Sequence, residues 1–158
     1  DPDERGIHMS RLFLALDRDH FQHGDVPGPA ALRRVDDWFM DQASDLVVTE
    51  QLESQLPEAT KWRDTASGLL AFRVRVARAF DREWLRVYWF RPEAPRTVHW
   101  AGRPEKSMVR IGGQDMLNPR KSFEHWSEVT RGQSASWSQQ DQIMAMRLRS
   151  QLLQFARG

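Results

Sequence analysis

The chain has 158 residues, enough for one domain around one hydrophobic core and too few for two domains of ordinary size. Lys and Arg total 23 against 22 Asp and Glu, and a net charge of +1 argues against a dedicated nucleic-acid or membrane surface. With no cysteine, a disulfide framework, a thiolate metal site and thiol attachment of a cofactor are all excluded. No apolar run approaches the roughly 20 residues that a membrane-spanning helix needs, and the polar start lacks the apolar region of a secretion signal. Residues 1–9 contain Gly6-Ile7-His8-Met9 and are expected to be a cloning remnant or a disordered lead.

In chain order, Ser10 to Asp17 is predicted to be a buried strand from the run Leu12, Phe13, Leu14 and Leu16. His20 to Gly24 is read as the return strand of a hairpin. Pro27-Gly28-Pro29 breaks the strand and sets up a helix over Ala30 to Ala43, with Leu32, Val35 and Phe39 on one face. Asp36 and Asp37 are assigned to its solvated side. Leu46, Val47 and Val48 mark a short strand, and short helices are expected around Pro57.

Leu69 to Val76 alternates, with Leu70, Phe72, Val74 and Val76 against Ala71, Arg73 and Arg75. That pattern predicts a strand with one face on the core and one in water, with Arg73, Arg75 and Arg78 as a solvated basic row. Glu83 to Phe90 is its partner across a turn containing Asp81 and Arg82. Ala101 to Pro119 lacks a core-like pattern and fits a hairpin turning at Gly112-Gly113; an extension of this length in a compact domain is usually functional or disordered. Ser138 and Asp141 form a capping-box pattern ahead of a helix, with Met144, Leu148, Leu152 and Phe155 as one seam. Hairpins with helices segregated between them predict an α+β domain on an antiparallel sheet.

No catalytic constellation stands out. His20 and His23 lack the second pair or carboxylate that a metal site needs, and no nucleophile elbow, phosphate loop or dinucleotide fingerprint is present. The stretch from Pro119 to Glu128 is more telling, since it is too polar for core and too aromatic for an idle loop. It reads either as a docking surface, with Phe123 and Trp126 as anchors and Arg120 as the charged contact, or as a helix start whose aromatics pack inward.

Several motifs then fall in one order: Ala66-Ser67-Gly68-Leu69-Leu70-Ala71, Trp89-Phe90-Arg91-Pro92-Glu93, Trp100-Ala101-Gly102, Pro119-Arg120-Lys121-Ser122-Phe123 and Trp126-Ser127-Glu128. Together they resemble the PHY domain of a phytochrome, most similar to the bacterial type, over about Ser10 to the C-terminus. The resemblance implies a GAF-like fold over residues 10–158, a central antiparallel sheet flanked by helices, with a tongue extension at about 100–131 and an exiting signalling helix at about 138–156. It also implies a relay. In the family the tongue seals a bilin pocket in an upstream PAS-GAF module and refolds between hairpin and helix on photoconversion.

Carried onto this chain, Arg120 would pair with a pocket aspartate in the red-absorbing state and Ser122 would approach it after the switch. Trp100 and Trp126 would exchange places, and Glu128 would help fix one state. Biliverdin or a related bilin would belong to the full-length parent, with none bound by this stretch. The C-terminal helix would lead to an output module, commonly a histidine kinase, so no enzymatic activity is expected here. A cytoplasmic protein follows, without nucleic-acid or membrane partners and compatible with a homodimer. A different class of reading is a GAF-like sensor that binds its own small ligand, such as a cyclic nucleotide.

Overall fold

A computed structural model describes residues 11–16, 19–78, 81–94, 110–111, 114–115 and 131–157. The chain builds β1 (Arg11–Leu16), β2 (Asp19–Gly24), α1 (Pro29–Met40), β3 (Leu46–Thr49), β4 (Gly68–Arg78) and β5 (Asp81–Arg91). After these come the short strands β6 (Arg110–Ile111) and β7 (Gln114–Asp115), and then α2 (Gln139–Arg157). Two 3-10 helices, Leu52–Ser54 and Pro57–Trp62, fill the expected place around Pro57. The main sheet is antiparallel in the order β2-β1-β5-β4-β3. β6 and β7 pair on either side of Gly112-Gly113, where the hairpin turn was expected.

β4 and β5 form the long centre of this sheet, paired without interruption from Gly68↔Arg91 to Arg78↔Asp81. Asp81 and Arg82 therefore belong to the ladder and not to the turn expected to contain them. The expected half-buried strand is also corrected. Every residue from Leu69 to Val74 is buried, including Ala71 and Arg73, and so are Tyr88 and Phe90. The core accordingly lies in two layers, one on each face of the sheet.

On one face Phe13, Ala15, Leu69, Ala71, Tyr88 and Phe90 pack against Leu32, Val35, Trp38 and Phe39 of α1. On the other face Leu12, Leu70, Phe72, Val74, Val87 and Trp89 receive Ala145, Leu148 and Leu152 of α2. Each large apolar side chain so buried removes surface worth about 1.5–3 kcal/mol from water. β2, by contrast, is exposed at every residue and forms the edge. The sum is the expected α+β architecture, with α1 closing the face of Ala71 and Arg73 that the alternation had assigned to water, and α2 covering the face of Leu70, Phe72 and Val74 that it had assigned to the core.

The covering side of α2 differs from the predicted seam. Leu148 and Leu152 do pack on the sheet, but their companions are Asp141 and Ala145, whereas Met144 is 42% and Phe155 87% exposed. Consecutive helical residues are turned by about 100°, so Met144 is carried off the face that Ala145 occupies. Ala145 is fully buried, and its small side chain permits close approach of helix to sheet.

Arg73 shows why the charged positions misled. Its guanidinium, 7% exposed, donates to the carbonyls of Phe39 (3.1 Å), Met40 (3.2 Å) and Gln42 (2.8 Å), and to Asp45 Oδ1 at 2.9 Å. It thus caps the C-terminal end of α1, whose own last turn contains no basic residue. Trp84 and Phe39 flank the same guanidinium, with centroids at 5.1 and 5.4 Å. Arg149 of α2 donates to Arg73 O (3.2 Å) and Asp45 Oδ2 (3.3 Å), so one cluster fastens both helices to the sheet. Arg75, the next arginine in the presumed solvated row, is exposed as expected.

This arrangement predicts unequal costs for the two partners. Arg73→Ala should destabilise the domain by about 2–4 kcal/mol, because one buried and two partly buried carbonyls lose their donor. Asp45→Ala should cost less, about 1 kcal/mol, since the carboxylate is 44% exposed. Equal shifts of the urea midpoint would contradict the capping role.

Candidate functional site: the root of the extension

β5 ends at Arg91, and Pro92 follows without an N–H to continue the ladder. The chain returns at Arg131, and the two arms are joined at once. Ala94 N donates to Gln133 O at 2.9 Å, and Glu93 forms an antiparallel bridge with Ser134. The described residues on either side of 95–130 therefore meet at a single junction.

The junction is bound to the body through the segment before β4. Ser134 N donates to Glu50 O (2.8 Å), Glu93 N to Arg63 O (2.7 Å) and Ser67 N to Arg91 O (2.9 Å). Gln51 Nε2 reaches Arg131 O at 3.4 Å. Glu93 also accepts from Gly132 N at 2.7 Å through Oε2. Arg63 grips Glu53 with two hydrogen bonds of 2.8 and 2.7 Å and stands 4.0 Å from Glu93. These hydrogen bonds from Arg63 hold the Glu53 carboxyl below its ordinary value, outweighing burial, which acts in the opposite direction.

Two glycines make the fit possible. Gly132 has φ of 73°, and a Cβ there would fall 1.3 Å from Glu53 Oε1. A Cβ on Gly68, the first residue of β4, would fall 2.1 Å from Ser134 Oγ. An open cleft of about 450 Å³ beside the junction is lined by Arg63, Asp64, Pro92, Glu93 and Arg131.

From the junction the chain runs directly into α2. Trp137 Nε1 donates to Thr49 O at 3.0 Å, which seats its indole against the sheet. Ser138 N donates to Asp141 Oδ2 (2.8 Å) and Asp141 N to Ser138 Oγ (3.0 Å), the expected capping box with Asp in the acidic position. Arg91 links this cap to the root. Its guanidinium lies 4.0 Å from the Trp137 ring centroid and donates to Ser136 O (2.5 Å) and Asp141 Oδ2 (3.1 Å).

A second cleft, about 460 Å³, lies between α1 and the β1–β2 hairpin and is lined by His20, Gln22, Arg33, Asp36 and Arg86, among others. Asp36, expected to be solvated, instead receives Arg86 at 3.0 and 2.8 Å together with the Tyr88 hydroxyl. Burial first, and then the neighbouring Asp36 charge, push the Tyr88 phenol up. The carboxylate is engaged on both oxygens by these contacts. No cluster of metal-ligating side chains occurs among the described residues.

The predicted tongue residues Trp100, Ala101, Gly102, Pro119, Arg120, Ser122, Phe123, Trp126 and Glu128 lie outside the described residues. Of the motif residues, Gly68, Arg91 and Glu93 are brought together at the root. Glu53, Arg63, Gly132 and Ser134 were missed by sequence reasoning, because their partners are remote and no local spacing announces them.

The class of protein so defined is an α+β domain with a helix on each face of an antiparallel sheet and an extension rooted beside the exit helix. A family model described as the phytochrome region matches residues 7–158, and the chain belongs to that family. It is 34% identical over 132 residues to cyanobacterial phytochrome B of Nostoc sp., covering 82% of this chain and 17% of that protein. A bacteriophytochrome of Pseudomonas aeruginosa is 41% identical over 68 residues, 43% of this chain and 9% of the relative. The crystal structure of a bacteriophytochrome from R. palustris superposes with a TM-score of 0.55 at 25% identity, over 89% of this chain and 28% of the other. The chain thus spans a small part of the proteins it resembles.

Two measurements test the root. Gly132→Ala should destabilise the domain by about 1–3 kcal/mol, through a strained backbone and a displaced Glu53; an unchanged melting temperature would contradict the geometry. Glu53 titrates lower when folded, so its contribution is complete above the ordinary value of 4.5 and is lost as pH falls through the folded value. The stability difference between wild type and Glu53→Gln, about 1 kcal/mol at neutral pH, should therefore shrink toward zero in urea titrations taken from about pH 6 down to pH 3.

Proposed function

We propose that this chain is the signal-relay domain of a red/far-red phytochrome. In this reading residues 100–131 form the tongue, which seals a bilin pocket in an upstream GAF domain and refolds between hairpin and helix on photoconversion. The observation that carries the reading is the junction at Glu93 and Ser134, since both arms of the extension end where α2 begins. A change in the extension acts on a point already built into the exit helix. α2 then passes the change to an output module such as a histidine kinase, while this domain itself performs no catalysis.

Arg120 is the residue suited to a pocket carboxylate, because a planar guanidinium binds it with two parallel hydrogen bonds. Ser122, Trp100, Trp126 and Glu128 supply the contacts that differ between the two states, with Ala101, Gly102, Pro119 and Phe123 shaping the arms. Biliverdin or a related bilin belongs to the upstream PAS-GAF module. The exposed side of α2, with Ile143, Met144 and Phe155, is offered to a partner helix or a second copy. A cytoplasmic location accords with this role, and no helix among the described residues is long and apolar enough to cross a membrane. The alternative, a domain that binds its own small ligand, would draw on the more enclosed cleft beside α1, where Asp36 and Arg86 already neutralise each other.

In the parent phytochrome, Arg120→Ala should change thermal reversion by roughly tenfold, the scale of a charge-assisted hydrogen bond of about 1.5–3 kcal/mol. Unaltered spectra and reversion kinetics would sink the assignment of the tongue.

A further inference from the structure

Asp141 is 2% exposed, and its Oδ1 has no hydrogen-bond partner among the described residues. Its other oxygen is held by the N–H of Ser138 and by Arg91. A buried carboxylate with a single backbone donor is expensive, and removing its cation leaves an uncompensated charge in the interior. The cation that prevents this is supplied from outside the helix, by the last residue of β5. Arg91 lies two residues before the Glu93–Ser134 bridge, and its carbonyl is tied to Ser67. The same guanidinium also holds Ser136 O and covers the Trp137 ring.

We propose that Arg91 is a positioning residue that latches the first turn of α2 to the root of the extension. With Arg91 in place, Asp141 stays buried as the cap, and the helix lies closed on the sheet. A displacement of the root that withdraws Arg91 leaves the Asp141 carboxyl buried without its cation, held by the Ser138 N–H alone. The carboxylate then regains solvation only by opening the turn from Ser138 to Gln142. The latch thereby converts a movement at residues 91–94 into a discrete choice at the helix start, as an element with two packings requires. The inference rests on the relay reading and names the contact through which that relay would reach α2.

The test uses the full-length phytochrome, with absorbance spectra read beside hydrogen exchange at residues 138–145 in both light states. In wild type the first turn of α2 should exchange differently in the two states. Arg91→Met should keep photoconversion, yet leave this turn at least about tenfold faster in both states and abolish the difference, the effect expected on losing a charge-assisted contact. Asp141→Asn removes the buried charge, so in that background Arg91→Met should have little further effect. A light-dependent difference that survives Arg91→Met, or an equal effect of Arg91→Met with Asn at 141, overturns the latch. Should Arg91→Met fail to fold, Arg91→Lys is read instead: it keeps the cation but loses the fork, and a wild-type difference there also overturns the proposal. Arg120→Ala separates the two ideas. If that variant leaves spectra and reversion unaltered, the relay reading fails; if it alters them while α2 shows no light-dependent exchange, only the latch fails.

Discussion

The two central strands, β4 and β5, are buried on both faces, and this one constraint organises the domain. A sheet covered on one side needs one helix, but this sheet needs two. α1 meets the first demand with Leu32, Val35, Trp38 and Phe39, and α2 meets the second with Ala145, Leu148 and Leu152. The exit helix is consequently a layer of the core. A change in how it sits must alter the burial of Phe72, Val74, Val87 and Trp89, so its position is coupled to the energetics of the sheet. A helix placed for output alone would have no such dependence.

Burial on both faces also forces the arginines into unusual service. Strand alternation places Arg73 and Arg86 on the α1 side, where there is no water to receive them. Each is satisfied by fixed acceptors: carbonyls at the end of α1 for Arg73, and the Asp36 carboxylate for Arg86. Arg91, on the opposite face, finds Asp141 and the Ser136 carbonyl. Such contacts are geometrically exacting, because a buried guanidinium left without acceptors loses far more than an exposed one. They fix where the helices lie relative to the strands, whereas the apolar contacts around them would tolerate sliding.

Local patterns made the elements legible and left their surroundings hidden. Period-two and helical spacing placed five strands and two helices, and the Ser138 and Asp141 spacing correctly announced the second helix. The apolar positions of α1 were also read from spacing, because Leu32, Val35 and Phe39 have no competing partners. Arg73 and Asp36 misled because polarity was taken to mean water, when each polar group had a partner more than 30 residues away in sequence. The root of the extension was illegible for the same reason. Glu53 and Arg63 are ten apart with no helical register between them, and Glu93 meets Ser134 only after residues 95–130 have returned. Family motifs supplied an order for these segments, but the contacts that join them appear only in three dimensions.

The placement of the root carries a mechanical consequence. Had the extension been inserted at the exposed β2 edge, its rearrangement could be absorbed by loosely held residues. It is inserted instead between the last rung of β5 and the cap of α2, where Glu93 is held by Arg63 and Gly132, Ala94 by Gln133, and Ser134 by Glu50. A junction with hydrogen bonds on both arms resists small displacements and yields only by exchanging one set of contacts for another. That behaviour would suit the proposed relay, which needs an element with two discrete packings at the start of the helix. The two glycines belong to the same logic. Any side chain at Gly68 or Gly132 would hold the arms away from the body, and the junction would lose the rigidity that makes it a threshold.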